Sequence, residues 1–334
     1  METRKIVSIA LISALCAVPA AHAHHASSGL GSAQAGPVRA LSPQSLQQGR
    51  WSAGLSFEYM DLDTLSDGKL AALAAAGEDV HSTDSVMTAA LGVGYGISDD
   101  FSIYVHLPYV GRDNIREGHF DPPDAEVERL GDSEGVGDLV LLGKYRFFSN
   151  AEIQAALLAG VKLPTGETRE KHDEGERFET EFQPGSGSFN PIIGVAVMRS
   201  WGRTSLTGSL LYTVATEGSQ DTDLGDRFEY GVALSYRVSG VGPRHDGTGQ
   251  QAHHHSAVDL MLELNGEWQD DEELGGEHDA NSGSHSLYLS PGVGISGGDG
   301  WSASFSVGLP IARHVRGHQD DAGARALFSI GKSF

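Results

Sequence analysis

Cysteine is almost absent: the 334 residues contain one, Cys16. It falls in an apolar leader-like stretch, so the rest of the chain has no thiol. Disulfide scaffolds, cysteine metal sites and thiol catalysis are thereby excluded. Basic charge is also scarce. Lys and Arg number 23 against 45 Asp and Glu, a formal charge of −22. With no local basic patch, this balance repels nucleic acid. Nor does any run reach the roughly 18 apolar residues of a membrane-spanning helix. A membrane β-barrel survives that exclusion, because it hides its apolar face by alternation.

The first 23 residues read as a signal peptide. Arg4 and Lys5 precede the apolar run 6–18, and Ala21-His22-Ala23 fits the small-x-small cleavage pattern. Cleavage there places His24 at the mature N-terminus. Residues 24–49 are then expected to be a periplasmic segment, and 50–334 a barrel.

What is abundant is a period of two. Trp51, Ala53, Leu55, Phe57 and Tyr59 share one face, with Ser52, Gly54, Ser56 and Glu58 on the other. This is strand alternation, not a 3.6-residue helical period. The pattern recurs to the end of the chain, as in Met87 to Ile97, Ile153 to Leu163 and Phe228 to Val238. It predicts an all-β fold: a transmembrane antiparallel up-and-down β-barrel of about twelve strands, each about ten residues long. Short turns (98–100, 149–150, 200–203, 297–300) alternate with long acidic loops (62–85, 111–134, 164–188, 217–227, 270–284, 312–323). Residues 239–256 are one long connection where a short turn belongs. An even strand count puts both termini on the periplasmic side. Trp51, Phe101, Phe148, Trp201, Tyr236, Trp301 and Phe334 then mark the periplasmic strand ends. Tyr59, Tyr109, Phe189, Tyr212, Phe228 and Trp268 mark the outer ends, giving two aromatic belts. The one helix-like stretch is 65–76, with Ser66 or Asp67 to cap it and Gly77 to end it.

Residues 324–334 alternate and stop on Phe334. This resembles the carboxy-terminal signal read by the bacterial barrel-assembly machinery, which implies a bacterial outer-membrane location. Residues 137–146 (GDLVLLGKYR), 160–167 (GVKLPTGE) and 183–188 (QPGSGS) resemble the outer-membrane transporter-like family named for the MetA pathway of phenol degradation. The resemblance spans most of 51–334 and implies passage of an aromatic or other hydrophobic compound.

Enzyme-like strings fail on context, so no enzymatic activity is expected. Residues 292–297 match G-x-G-x-x-G and 294–298 match G-x-S-x-G. A turn and another strand follow both, where a phosphate site or nucleophile elbow needs a helix. No resident cofactor is expected, apart from a divalent metal on clustered histidines. His24 and His25 open the mature chain, and His253, His254 and His255 occupy the long connection. Imidazole suits Zn, Cu and Ni. Alternation turns charges of both signs inward: Glu58, Asp138, Lys144, Arg146, Glu152, Lys162, Glu229, Arg237, Asp259, Glu263 and Glu267. A lipid-facing Lys or Arg near the midplane costs roughly 2–4 kcal/mol, so the lumen is where they belong. They either pair across strands and fill the interior or line a conduction path. The acidic outer loops form an anionic rim toward lipopolysaccharide. Three functions fit this reading: passive passage of a small solute, an accessory role in transition-metal handling, or a structural barrel without a pore.

Overall fold

The computed structural model describes residues 37–240, 256–297 and 299–334. His24, His25, His253, His254 and His255 lie outside the described residues, as do the expected signal peptide and most of the long connection. Among the described residues twelve strands form the barrel. They are β1 (Trp51–Asp63), β2 (Ser85–Ser98), β3 (Phe101–Asp121), β4 (Leu139–Ser149), β5 (Ile153–Leu163) and β6 (Asn190–Trp201). β7 (Thr204–Thr213), β8 (Arg227–Ser239), β9 (Ala257–Gln269), β10 (Ser284–Ser296), β11 (Trp301–Val315) and β12 (Asp321–Ser333) complete the set. Each pairs antiparallel with its chain neighbours. β12 returns to β1, with Ser333 opposite Ser52, and closes the sheet. Phe334 extends that seam, exchanging backbone hydrogen bonds of 2.9 Å in both directions with Trp51.

The expected apolar stripe is the outer face. Leu55, Leu91, Leu157, Ile193, Val232 and Leu260 are exposed, while Ser52, Ser56, Ala156 and Ala233 between such positions are buried. In water that outer surface would be an unstable apolar belt; lipid is its matching solvent. Rings at the strand ends, Trp51, Trp201, Trp301 and Phe334 at one rim and Tyr59, Tyr109 and Phe189 at the other, are exposed as belts require.

Two expected loops carry more structure than their composition suggests. The stretch 111–134 is mostly a hairpin: the outer half of β3 pairs with Asp124–Val136 instead of β4. No lipid-facing stripe runs along this hairpin; apolar side chains instead pack inward, Ile115 and Leu130 against Phe178 and Phe182 and Val127 against the cluster of Leu65, Leu70 and Val80, so it shows no alternation of the barrel kind. The first outer loop holds α1 (Asp67–Ala74), inside the helix-like stretch 65–76. Ser66 is its N-cap without a side-chain bond, and Gly77, at φ +85°, turns the chain out of it.

The largest departure is the segment expected to lie in the periplasm. Residues 37–46 run inside the barrel. Glu263, 1% exposed at mid-β9, accepts hydrogen bonds from the backbone N–H groups of Val38, Arg39 and Ala40. The Arg39 guanidinium meets Glu58 at 2.5 and 2.8 Å and approaches Glu267 at 3.5 Å. Leu41 packs among Tyr104, Leu142, Leu158 and Leu211. Further down, the Lys144 Nζ donates to the Gln44 carbonyl at 3.1 Å and Leu46 N–H donates to Ser102 Oγ at 2.8 Å. The segment leaves at the periplasmic rim beside Asp99. Small residues make the room. A Cβ on Gly96 would sit 2.0 Å from the Gln47 carbonyl oxygen, so any side chain there evicts the segment.

Candidate functional site in the barrel lumen

Above the internal segment the lumen holds a cavity of about 140 Å³ that opens to solvent. Pro108, Val110, Val140, Ile192 and Pro184 supply apolar wall, and Lys162, Arg227, Glu229 and Asp138 supply charge.

One wall is a loop folded inward, and the residues that pin it are those of the 137–146, 160–167 and 183–188 stretches. Asp138, just before β4, is 4% exposed. It accepts from Gly166 N–H at 2.9 Å, Ser186 N–H at 2.8 Å and Ser186 Oγ at 2.6 Å. Lys162 Nζ stands 3.5 Å from the same carboxylate. Gly166 and Gly185 cross so closely that a Cβ on either lies 2.7 Å from backbone atoms of the other. Gln183 ties the loop to itself, donating to the Glu170 and Phe178 carbonyls at 3.0 and 2.7 Å. Glycines and one buried carboxylate thus hold residues 183–186 against the cavity.

His106 faces this cavity from β3. It is 4% exposed, and neither ring nitrogen has a hydrogen-bond partner among the described residues. A buried polar group left unpaired costs about 1–3 kcal/mol. A neutral imidazole offers one donor and one acceptor, and both are unspent here.

The inward charges divide by height. Glu58, Lys144 and Glu263 hold the internal segment, as above. Arg227 and Glu267 form an ion pair higher in the lumen, and Glu229 lines the cavity. Arg237 and Asp259 pair through two 2.9 Å bonds toward the periplasmic end. Arg146 reaches Asp100 at 2.8 Å on the periplasmic rim. Glu152 departs from the expectation. It lies in the turn before β5, where alternation no longer applies, and is exposed beside Arg199 at 3.5 Å. His106 and Arg325 escaped the sequence reading although the stripes predict both inward, since their neighbours Val105 and Leu107, and Ala326, face out. Arg325 lies 3.6 Å from the centre of the Tyr288 ring. Arg39 carries no such signal.

A second charged cluster sits at the outer mouth. His81 lies among Asp79, Glu117, Glu179 and Glu181, with its nitrogens 3.6–3.9 Å from their oxygens. Burial alone would lower the His81 pKa; the surrounding carboxylates of Glu117, Glu181, Glu179 and Asp79 overcome it and raise it to about 10. Burial raises Glu181 to about 7, with Glu179 and Asp279 adding to the effect. Glu272 is raised well above the ordinary carboxylate value by burial, then by Glu181, Asp279 and Glu179. Burial and these neighbouring carboxylates thus favour the protonated forms of Glu181 and Glu272.

A closed twelve-stranded sheet, apolar outside and charged inside, is the architecture of a bacterial outer-membrane β-barrel. Within that class the chain belongs to the family described as "Putative MetA-pathway of phenol degradation", whose model matches residues 61–326. Among solved structures it is similar to an outer-membrane channel from Pseudomonas putida F1, with TM-score 0.54 and 16% identity over 90% of this chain and 100% of that one. More distant are a toluene transporter of Ralstonia pickettii (TM-score 0.42, 9% identity, 86% and 90% covered) and a FadL homologue of Pseudomonas aeruginosa (0.40, 8%, 95% and 98%). No curated protein matches the chain in sequence.

Proposed function

We propose that this protein is an outer-membrane channel through which a small, mainly apolar solute carrying a hydroxyl or similar polar group passes without energy coupling. The observation that carries the reading is the lumen cavity with His106 unpaired in its wall. Apolar wall favours desolvating a hydrocarbon or aromatic body, and the imidazole rewards one hydrogen-bonding group. The family's name agrees with such a solute. Residues 37–46 narrow the periplasmic half, so passage requires that this segment shift. Glu58, Glu263 and Glu267 are then its anchoring groups. Phe334, at the seam between the first and last strands, fits the role of an assembly signal.

The test is liposome uptake of a solute panel by the purified barrel: a phenol, the matching hydrocarbon, and a sugar of similar size. After entry into protein-free liposomes is subtracted, the reading expects the phenol to enter faster than both the hydrocarbon and the sugar, and His106→Phe to remove its advantage over the hydrocarbon. Entry of none of the three, with or without the internal segment, identifies a structural barrel and refutes the proposal.

A further inference from the structure

The outer mouth holds a donor set independent of the lumen reading. His81 and Ser82 pair with Glu117 and Arg116 of the β3 hairpin. This brings the first outer loop against the second, and Glu179 and Glu181 arrive from the third. One ring nitrogen, Nε2 of His81, faces three carboxylates: Glu117 at 3.8 Å, Asp79 at 3.9 Å and Glu179 at 3.9 Å. Ligand atoms of Asp79, His81 and Glu117 all lie within 4.8 Å of one another. Separations of 3.8–3.9 Å are too long for good hydrogen bonds. They are within a few tenths of an ångström of those of atoms sharing one cation, since ligands at 2.0–2.2 Å on a tetrahedron stand about 3.3–3.6 Å apart.

The other side of the ring fits the same chemistry. Nδ1 of His81 faces Glu181 at 3.6 Å, and the Phe182 ring meets the imidazole edge-on at 5.1 Å. A carboxylate hydrogen-bonded behind a ligating histidine fixes its tautomer and aims the opposite nitrogen, the usual support of a metal-bound imidazole, and Glu181 needs to close by only about half an ångström to take that place. His81 is largely covered and Asp79 open to solvent, which leaves an entry path.

We propose that His81 Nε2, Asp79 and Glu117 bind a divalent transition cation of the Zn²⁺ type, with Glu179 or water completing the shell and Glu181 positioning the ring. Such an ion ties together the first outer loop and the β3 hairpin, and through Glu181 the third loop that walls the lumen cavity.

The experiment titrates zinc chloride calorimetrically into the detergent-folded full chain, with His24, His25, His253, His254 and His255 changed to Ala so that those clusters do not contribute. One equivalent should bind in the micromolar range. His81→Gln should weaken it at least 30-fold, Glu117→Gln at least tenfold, and Glu181→Gln about tenfold with the stoichiometry kept. Zinc should also slow tryptic cleavage at Arg177 in the parent and not in His81→Gln. Absence of binding in the parent, or affinity within threefold in both His81→Gln and Glu117→Gln, overturns the proposal. Should His81→Gln fail to fold, Glu117→Gln decides alone.

Discussion

Asp138→Ala tests how the lumen wall is built. The carboxylate accepts three hydrogen bonds from Gly166 and Ser186 and faces Lys162 at 3.5 Å. Each bond to a charged group contributes about 1.5–3 kcal/mol, but the three share one loop and do not add fully. Removing one partner of a buried ion pair costs about 3–5 kcal/mol. We therefore expect loop closure to lose about 3–5 kcal/mol. At 1.4 kcal/mol per tenfold, the opened loop becomes at least a hundredfold more populated. The barrel itself should survive, because Asp138 precedes β4 and takes no part in its ladder. Limited trypsinolysis reads the effect at Arg169, Lys171 and Arg177, all exposed on this loop. Where reclosing outpaces cleavage, the cutting rate follows the open population. Asp138→Asn should fall between, keeping an acceptor but turning an amide N–H₂ toward donors. Cutting within twofold of the parent, on a barrel that still shifts on heating in gels, would refute the pinning role.

Gly185→Ala should loosen the same loop, since its Cβ meets Gly166 backbone at 2.7 Å; equal tryptic rates would argue against the crossing. Leu157→Arg should block insertion by roughly 2–4 kcal/mol while Leu157→Phe is accepted, measured as heat-modifiable barrel in membranes. Ala156, its inward neighbour, is fully buried, so Ala156→Arg should fail as well, by overpacking the interior. Glu272→Gln tests the charged mouth by pH. A carboxyl raised by folding contributes stability that is full below its unfolded pKa and lost as pH rises through the folded value. The variant should therefore resist denaturation better than the parent at pH 8 and equal it near pH 4; an unchanged difference across that range would contradict the assignment.

The barrel was legible because lipid imposes a rule at every second residue. Wherever an apolar stripe exists, as at Leu55, Phe57 and Tyr59, the strand and its facing follow, and with them the inward position of Glu58, Lys144 and Glu263. The family motifs were legible as a resemblance, but their purpose was not. Asp138, Gly166 and Ser186 meet only because β4, β5 and the loop before β6 are brought together in space. The internal segment left no mark, since Val38 and Leu41 satisfy contacts in the lumen without any period. Glu152 was misplaced for a local reason: one residue short of β5, the alternation had already ended. The His81 cluster joins segments from 79 to 181, and no spacing announces it.

The central claim is that the lumen is a solute path narrowed by the internal segment. Single-channel recording in planar bilayers tests it most directly, comparing the full chain with a form lacking residues 24–48. The account predicts small or rare openings for the full chain and large, steady steps for the shortened form. It also predicts that a phenol lowers the current of the shortened form unless His106 is changed to Phe. Indistinguishable traces from the two chains, or a shortened barrel that never conducts, would contradict it.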